Sequence, residues 1–72
     1  MTIELRNTLR ALREERGWTQ AELAERVEVS RKTINTVENR VFIPSTVLAL
    51  KLARAFDLPV EALFSLEDDQ AR

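Results

Sequence analysis

The stretch SRKTINTVENR, residues 30–40, holds the side chains whose types and spacing best fit a binding chemistry. Each residue of a helix advances by about 100° around the axis, which sorts this stretch into two arcs. The inner arc contains Ile34 and Val37, with Thr33 beside them, and the only acid, Glu38, lies at its border. The outer arc combines two cations, two amides and a hydroxyl with no carboxylate: Arg31, Lys32, Asn35, Thr36 and Asn39.

These side-chain types suit double-stranded DNA. Arginine and lysine can neutralise phosphates or donate to O6 and N7 of guanine, asparagine can pair with adenine through two hydrogen bonds, and threonine can contact a thymine methyl group. For a single short helix, a merely solvated face is the simpler interpretation. The neighbouring elements therefore decide between the two.

Helix signals recur along the chain while strand signals are scarce, so the sequence predicts an all-α fold, a compact five-helix bundle with no sheet. Leu5, Leu9 and Leu12 recur at helical spacing in a first helix, which is expected to end near Arg16 because Gly17 can adopt the left-handed conformation.

Capping residues place the second and third helices. Thr19 and Glu22 have the spacing of a capping box at the start of a helix over about residues 20–26. Ser30 is expected to cap a helix over residues 31–38.

A fourth helix, residues 46–56, follows the cap residue Ser45. We expect it to be the central core helix, because apolar residues surround most of its circumference: Val47, Leu48, Leu50, Leu52, Ala53 and Phe56. Pro59 opens a short fifth helix that carries Val60, Leu63 and Phe64. Residues 1–66 are expected to form one domain, followed by a short acidic tail over residues 67–72.

Residues 20–39 have the pattern of two helices that cross steeply over a tight turn, with apolar side chains filling the angle and the small Ala24 at the crossing. The segment RGWTQAELAERVEVSRKTINTVEN resembles the helix-turn-helix of the Cro/C1-type (Xre-like) bacterial and phage repressors. The segment ALKLARAFDLPVEALF resembles that family's fourth and fifth helices. The resemblance extends from about Leu5 to Phe64 and implies a lambda-repressor-like DNA-binding domain.

The resemblance also implies roles for particular residues, with the third helix in the major groove. The expected base readers are Arg31, Lys32 and Thr36, with Asn35 and Ser30 as secondary candidates. The expected phosphate contacts are Thr19, Gln20, Asn39 and Arg40. The family often pairs an arginine late in helix one with a glutamate at the end of helix three, which implies an ion pair of Arg13 and Glu38 that orients the helices.

The sequence departs from the family at the turn and after the third helix. Glu28 stands where glycine is usual, so it is expected to adopt a positive φ at some energetic cost. Arg40 and Val41 replace the common glycine and lysine. In the loop segment VFI, Phe42 is expected to turn into the core, while Val41 and Ile43 are expected at a protein interface.

One such domain reads a half-site, so the resemblance implies a homodimer on a palindromic operator with half-sites about 34–36 Å apart. The interface candidates are Val41, Ile43, Phe64 and Leu66, although Phe64 fits a core position equally well. The net charge is −1, with a net +1 in residues 1–40 and −2 in residues 41–72. This distribution predicts weak non-specific affinity and a shallow dependence on salt.

The composition argues against other classes of function. The chain has no histidine or cysteine and no phosphate-cradling glycine loop, so we expect no enzyme, no metal, no cofactor and no small-molecule effector. It shows no signal peptide or apolar run of about 20 residues, which predicts a cytoplasmic, nucleoid-associated protein of bacterial or phage origin. The predicted function is a small transcriptional regulator, a repressor. The alternative is a protein-interaction module of the same fold, such as an antitoxin.

Overall fold

The computed structural model describes residues 4–67. Along the chain the elements are β1 Glu4–Asn7, α1 Leu9–Glu15, α2 Gln20–Val27, α3 Arg31–Glu38, α4 Thr46–Phe56, α5 Val60–Leu63 and β2 Phe64–Glu67. The predicted five-helix architecture is confirmed, with a small strand pair added to it. The predicted acidic tail begins inside β2 at Glu67, and its remaining residues, 68–72, lie outside the described part of the chain.

All five helices contribute to one hydrophobic core. The fully or nearly buried apolar side chains are Leu9, Leu23, Ala24, Val27, Ile34, Val37, Leu48, Leu52, Ala53, Phe56 and Leu63. In agreement with the expected central core helix, α4 contributes four of these side chains: Leu48, Leu52, Ala53 and Phe56. The other two large apolar residues of α4, Val47 and Leu50, are exposed, contrary to the expectation. These two residues lie three positions apart and share the side of α4 that faces away from Leu48 and Leu52. Only one face of α4 is therefore core.

The expectation of no sheet was wrong, because β1 and β2 form an antiparallel pair. Leu5 lies opposite Leu66, and Arg6 opposite Ser65. Leu5 therefore belongs to a strand, and the first helix begins only at Leu9. Phe64 likewise begins β2 instead of continuing the fifth helix, and Pro59 precedes α5 as its cap residue. The two strands come from opposite ends of the described chain, so no local pattern reveals their pairing.

Asn7 connects the strand pair to the helices. Its Oδ1 accepts a hydrogen bond from the Leu9 N–H at 3.2 Å, and its Nδ2 donates to the carbonyl of Val37 at 2.9 Å. The first contact satisfies an N–H group at the start of α1, and the second holds β1 against the end of α3. The strand pair thus lies next to the C-terminus of the helix that carries the candidate binding residues.

Local features define the start of α2 and the turn between α2 and α3. Thr19 and Glu22 form the predicted capping box at the start of α2, and the Ser30 hydroxyl at the start of α3 accepts a hydrogen bond from the Thr33 N–H at 3.1 Å. Glu28 has φ 63° and ψ 45°, which confirms the expected left-handed conformation. The N–H of Val29 then bonds to the carbonyl of Ala24 at 3.0 Å, closing the last turn of α2. The left-handed Glu28, the bond of Val29 and the cap Ser30 together set the direction in which α3 leaves the turn.

The loop after α3 differs from the expectation for Phe42, which is 48% exposed and does not enter the core. Arg40 adopts a left-handed conformation with φ 63°. The N–H groups of Val41 and Phe42 then both donate to the carbonyl of Thr36, at 2.9 and 3.2 Å. This tight return at the end of α3 leaves Val41 and Ile43 strongly exposed as well, at 77% and 73%.

Candidate nucleic-acid interface

The outward face of α3 presents the predicted base-reading residues. Arg31 and Lys32 are exposed in its first turn, and Asn35 and Thr36 are partly exposed one turn later. On the opposite side, Ile34 and Val37 are almost completely buried and fix the helix to the core. The structure thus places the four polar side chains on one side of a firmly packed helix.

The predicted pair of Arg13 and Glu38 is present directly beneath this face. Nε of Arg13 donates to Oε2 of Glu38 at 2.7 Å, and Nη2 donates to Oε1 at 3.3 Å. Nη1 of the same guanidinium donates to the carbonyl of Trp18 at 2.9 Å. The two side chains are only 10% and 2% exposed. The pair therefore joins α1, the start of α2 and the end of α3.

Hydrogen bonding to Glu38 raises the pKa of the Arg13 guanidinium above its usual value, against the opposite effect of burial, and the charge of Glu38 raises it further. Because the pKa is raised in the folded protein, the stabilisation is complete at any pH below the pKa of the unfolded chain. It is lost as the pH rises into strongly alkaline solution. Arg13 is therefore a permanent buried cation that holds Glu38 in place.

Gln20 connects this ion pair to the outward face. Its Nε2 donates to Oε1 of Glu38 at 3.1 Å and to Oδ1 of Asn35 at 3.2 Å. Its Oε1 accepts a hydrogen bond from Nη1 of Arg31 at 3.2 Å. The side-chain amide of Gln20, a predicted phosphate contact, is thus engaged with three other residues of the chain. Its backbone N–H lies in the first turn of α2, where N–H groups have no intrahelical partner.

Several other predicted contact residues also have partners within the chain. Nδ2 of Asn39 donates to the carbonyl and to Oδ1 of Asn35, at 2.9 and 3.1 Å. The hydroxyl of Thr36 donates to the carbonyl of Thr33 at 2.9 Å, which leaves its lone pairs as acceptors. Ser30, a secondary base-reading candidate, uses its hydroxyl as the cap of α3.

The remaining phosphate candidates lie at the ends of the helix-turn-helix. Thr19 accepts from the Glu22 N–H at 3.0 Å within the capping box. Nη2 of Arg40 donates to Oε1 of Glu4 at 3.0 Å, in a partly exposed ion pair with β1. Sequence reasoning did not identify the connecting role of Gln20, because its partners lie on another helix and no local pattern marks them.

The loop after α3 forms an exposed apolar cluster of Val41, Phe42 and Ile43. Phe42 and Ile43 also line a groove of about 320 Å³ bounded by β1 and the end of α3. Leu66 of β2 is also exposed, at 65%. Phe64 is partly buried and packs against the core. Three of the four interface candidates are thus available at the surface.

Residues 4–67 show neither a metal-binding cluster nor a membrane-spanning helix. No three acidic side chains there are grouped as ligands of one metal ion. No helix in this part of the chain has the length and apolar character needed to cross a membrane.

Comparison with known proteins gives a consistent assignment. The sequence model of the helix-turn-helix family matches residues 9–63. An uncharacterized HTH-type transcriptional regulator of Methanothermobacter thermautotrophicus is 44% identical over 69 residues, which cover 94% of this chain and all of that protein. The antitoxin HipB of Escherichia coli is 31% identical over 55 residues, which cover 76% of this chain and 58% of HipB. A putative DNA-binding protein from Bacteroides fragilis has the same fold, with a TM-score of 0.76 over 85% of this chain and 98% of that chain, at 23% identity.

The chain therefore belongs to the helix-turn-helix family of transcriptional regulators, with α2 and α3 as its helix-turn-helix.

Proposed function

We propose that this protein is a sequence-specific transcriptional regulator, a repressor, that binds double-stranded DNA with α3 in the major groove. Arg31 and Lys32 supply donors to base edges and phosphates in the first turn of α3. Asn35 and Thr36 meet bases one turn later. The first N–H groups of α2, next to Thr19 and Gln20, lie where a phosphate would be favoured by the helix dipole, and Asn39 and Arg40 border the far end of α3.

The observation that carries the proposal is the contrast between the two sides of α3. One side is locked by Ile34, Val37 and the buried Glu38. The other presents two exposed cations, Arg31 and Lys32, and carries no carboxylate. A rigid helix with a polar, cationic outward face is what reading of the major groove requires.

The proposal includes a homodimer on a palindromic operator, because one helix-turn-helix reads a single half-site. The exposed apolar cluster of Val41, Phe42 and Ile43 supports a protein interface next to the end of α3. Leu66 is a second candidate, whereas Phe64 contributes mainly to the core. A protein with this function acts on the chromosome or on phage DNA in the cytoplasm.

The test is selection of binding sites from random duplexes with the intact protein at low salt. The proposal expects enrichment of a near-palindrome whose half-sites are separated by about one helical turn, 10–10.5 base pairs. Enrichment of a single half-site would support sequence-specific DNA binding but contradict the proposed homodimer. No enrichment, with the protein shown to be folded by circular dichroism, would contradict the proposal.

A second function is favoured by the same apolar cluster together with the similarity to the antitoxin HipB. In that case the cluster of Val41, Phe42 and Ile43 would hold a different protein, as an antitoxin holds its toxin. A protein that is monomeric at micromolar concentration and selects no DNA would favour this second function. A self-associating protein that selects a palindrome would exclude it as the main role of the cluster.

A further inference from the structure

The hydrogen bonds around Gln20 have a fixed direction, which follows from the chemistry of its neighbours. Glu38 is a carboxylate that can only accept, and Arg31 is a guanidinium that can only donate. The Gln20 amide must therefore turn its Nε2 toward Glu38 and its Oε1 toward Arg31, as the 3.1 and 3.2 Å contacts show. The buried charge of Arg13 in turn holds Glu38 at its position. The buried pair of Arg13 and Glu38 thus determines the orientation of the Gln20 amide.

The orientation of the Gln20 amide in turn determines the orientation of the Asn35 amide. The second hydrogen of Gln20 Nε2 meets Oδ1 of Asn35 at 3.2 Å, and Nδ2 of Asn39 meets the same oxygen at 3.1 Å. A carboxamide oxygen has two lone pairs, so both acceptor positions of Asn35 are occupied within the chain. Only its Nδ2 group is left for a ligand.

Nδ2 of Asn35 is accessible to that ligand. It makes no hydrogen bond with any residue in the described part of the chain, 4–67, and no unpartnered side-chain nitrogen or oxygen is buried there. The Nδ2 group therefore reaches solvent on the outward side of α3, between the first turn and Asn39. It presents two donors and no acceptor.

We propose that Gln20 is a positioning residue that makes Asn35 a pure hydrogen-bond donor, so that Asn35 selects guanine and rejects adenine in the operator. This inference rests on the proposed function and specifies its substrate. Guanine presents two acceptors, O6 and N7, in the major groove. Adenine presents an N6 donor beside its N7, and that donor would face the Nδ2 donors of Asn35.

The proposal replaces two earlier expectations. Asparagine commonly pairs with adenine by accepting from N6 and donating to N7, which requires the Oδ1 atom that is occupied here. The side chain of Gln20 was expected to contact a phosphate, but both of its hydrogens are used within the chain. Its contribution to DNA binding is instead to set the base preference of a neighbour.

The test uses the operator selected by the intact protein. Selection with the Asn35→Ala variant then identifies the operator position at which the base preference depends on Asn35. Duplexes carrying guanine, adenine, 7-deazaguanine or inosine at that position are then compared by fluorescence anisotropy. We expect guanine to bind at least about fivefold more tightly than adenine. 7-Deazaguanine lacks N7 and should lose affinity, while inosine keeps O6 and N7 and should bind like guanine.

The Gln20→Met variant separates positioning from a phosphate contact. It retains the length of the side chain but releases one lone pair of Asn35 Oδ1, so the preference for guanine over adenine should fall by about threefold or more. Urea denaturation of this variant establishes that it is folded before binding is measured.

Each outcome has a distinct meaning. The inference is overturned if the operator position whose base preference depends on Asn35 prefers adenine. It is also overturned if no position has a base preference that depends on Asn35. Equal weakening on all four duplexes with Gln20→Met also overturns it, because Gln20 would then contribute to affinity and not to base preference. Loss of affinity with inosine would indicate reading from the minor groove and contradicts it as well. If the intact protein selects no operator, the proposed function itself fails, which is a separate result from a selected operator with the wrong base.

Discussion

Arg13 and Glu38 place a charged pair inside a very small protein, at 10% and 2% exposure. Removing both charges from water is costly, and such pairs often contribute little net stability compared with apolar residues of similar volume. Their value here is geometric, because Glu38 also accepts from Gln20 and so fixes the side chains above it. The pair orients the outward face of α3 without touching DNA.

We predict that Glu38→Leu lowers the free energy of unfolding by about 3–5 kcal/mol, because it leaves the Arg13 guanidinium buried without a carboxylate. The double variant Arg13→Met, Glu38→Leu is the matched control and should recover most of that loss. Urea denaturation followed by circular dichroism measures both. A loss below about 1 kcal/mol for the single variant would contradict this account of the pair.

Some features of the candidate nucleic-acid interface could be predicted from the sequence. The family resemblance implied the Arg13–Glu38 pair, and helical periodicity separated Ile34 and Val37 from the outward side chains. The engagement of Gln20 with Asn35 and Arg31 was not foreseen. It depends on the distance between two helices, which periodicity within either helix does not encode.

The turn between α2 and α3 is the element that most directly sets the angle of the candidate reading helix. Glu28 occupies it in the left-handed conformation that favours glycine. Its carboxylate meets Nζ of Lys51 at 3.3 Å, in a largely exposed pair. Such pairs contribute little to stability, so the backbone cost at Glu28 is not offset by this contact.

We predict that Glu28→Gly raises the free energy of unfolding by about 0.5–1 kcal/mol, because it removes the backbone cost of a left-handed residue with a side chain. The matched control is Glu25→Gly, an exposed position inside α2, which should lower it by about 1 kcal/mol. Thermal unfolding monitored by circular dichroism gives both values. If both variants were destabilised equally, the strain at Glu28 would be refuted.

The helices whose ends are marked by capping residues were predicted well from the sequence. The Thr19 and Ser30 caps could be assigned from a few neighbouring residues, and the left-handed Glu28 from the family resemblance. The pairing of β1 with β2 could not, because each strand has only four residues and its partner lies at the other end of the described chain. Phe42 was misplaced for a related reason, since the hydrogen bonds to Thr36 that direct the loop outward are not visible in the residue types.

Within residues 4–67, large apolar side chains are exposed in three places. The first is the cluster of Val41, Phe42 and Ile43 after α3, the second is the outward face of α4 with Val47 and Leu50, and the third is Leu66 of β2. The proposed homodimer uses the first. The second offers a control of the same chemistry, because it also exposes two large apolar residues on the same chain.

We predict that the double variant Val41→Asp, Ile43→Asp is monomeric in sedimentation equilibrium at concentrations where the unchanged protein dimerises, because four carboxylates would meet at the interface. The control Val47→Asp, Leu50→Asp should leave the dimer intact. If only the Val47→Asp, Leu50→Asp variant were monomeric, the dimer interface would lie on α4. If the protein without substitutions were itself monomeric, the proposed homodimer would be wrong.

Reading of DNA by α3 can be tested by comparing two double variants on the selected operator. Arg31→Ala, Lys32→Ala removes two cations from α3, while Arg10→Ala, Arg54→Ala removes two exposed cations from α1 and α4. Because both variants change the net charge equally, a difference between them reports position and not charge alone. We predict a loss of affinity of about 30-fold or more for the first variant, at about 1–3 kcal/mol for each base contact, and less than about threefold for the second. Equal losses in two folded variants would show that binding is electrostatic and would contradict a reading helix at α3.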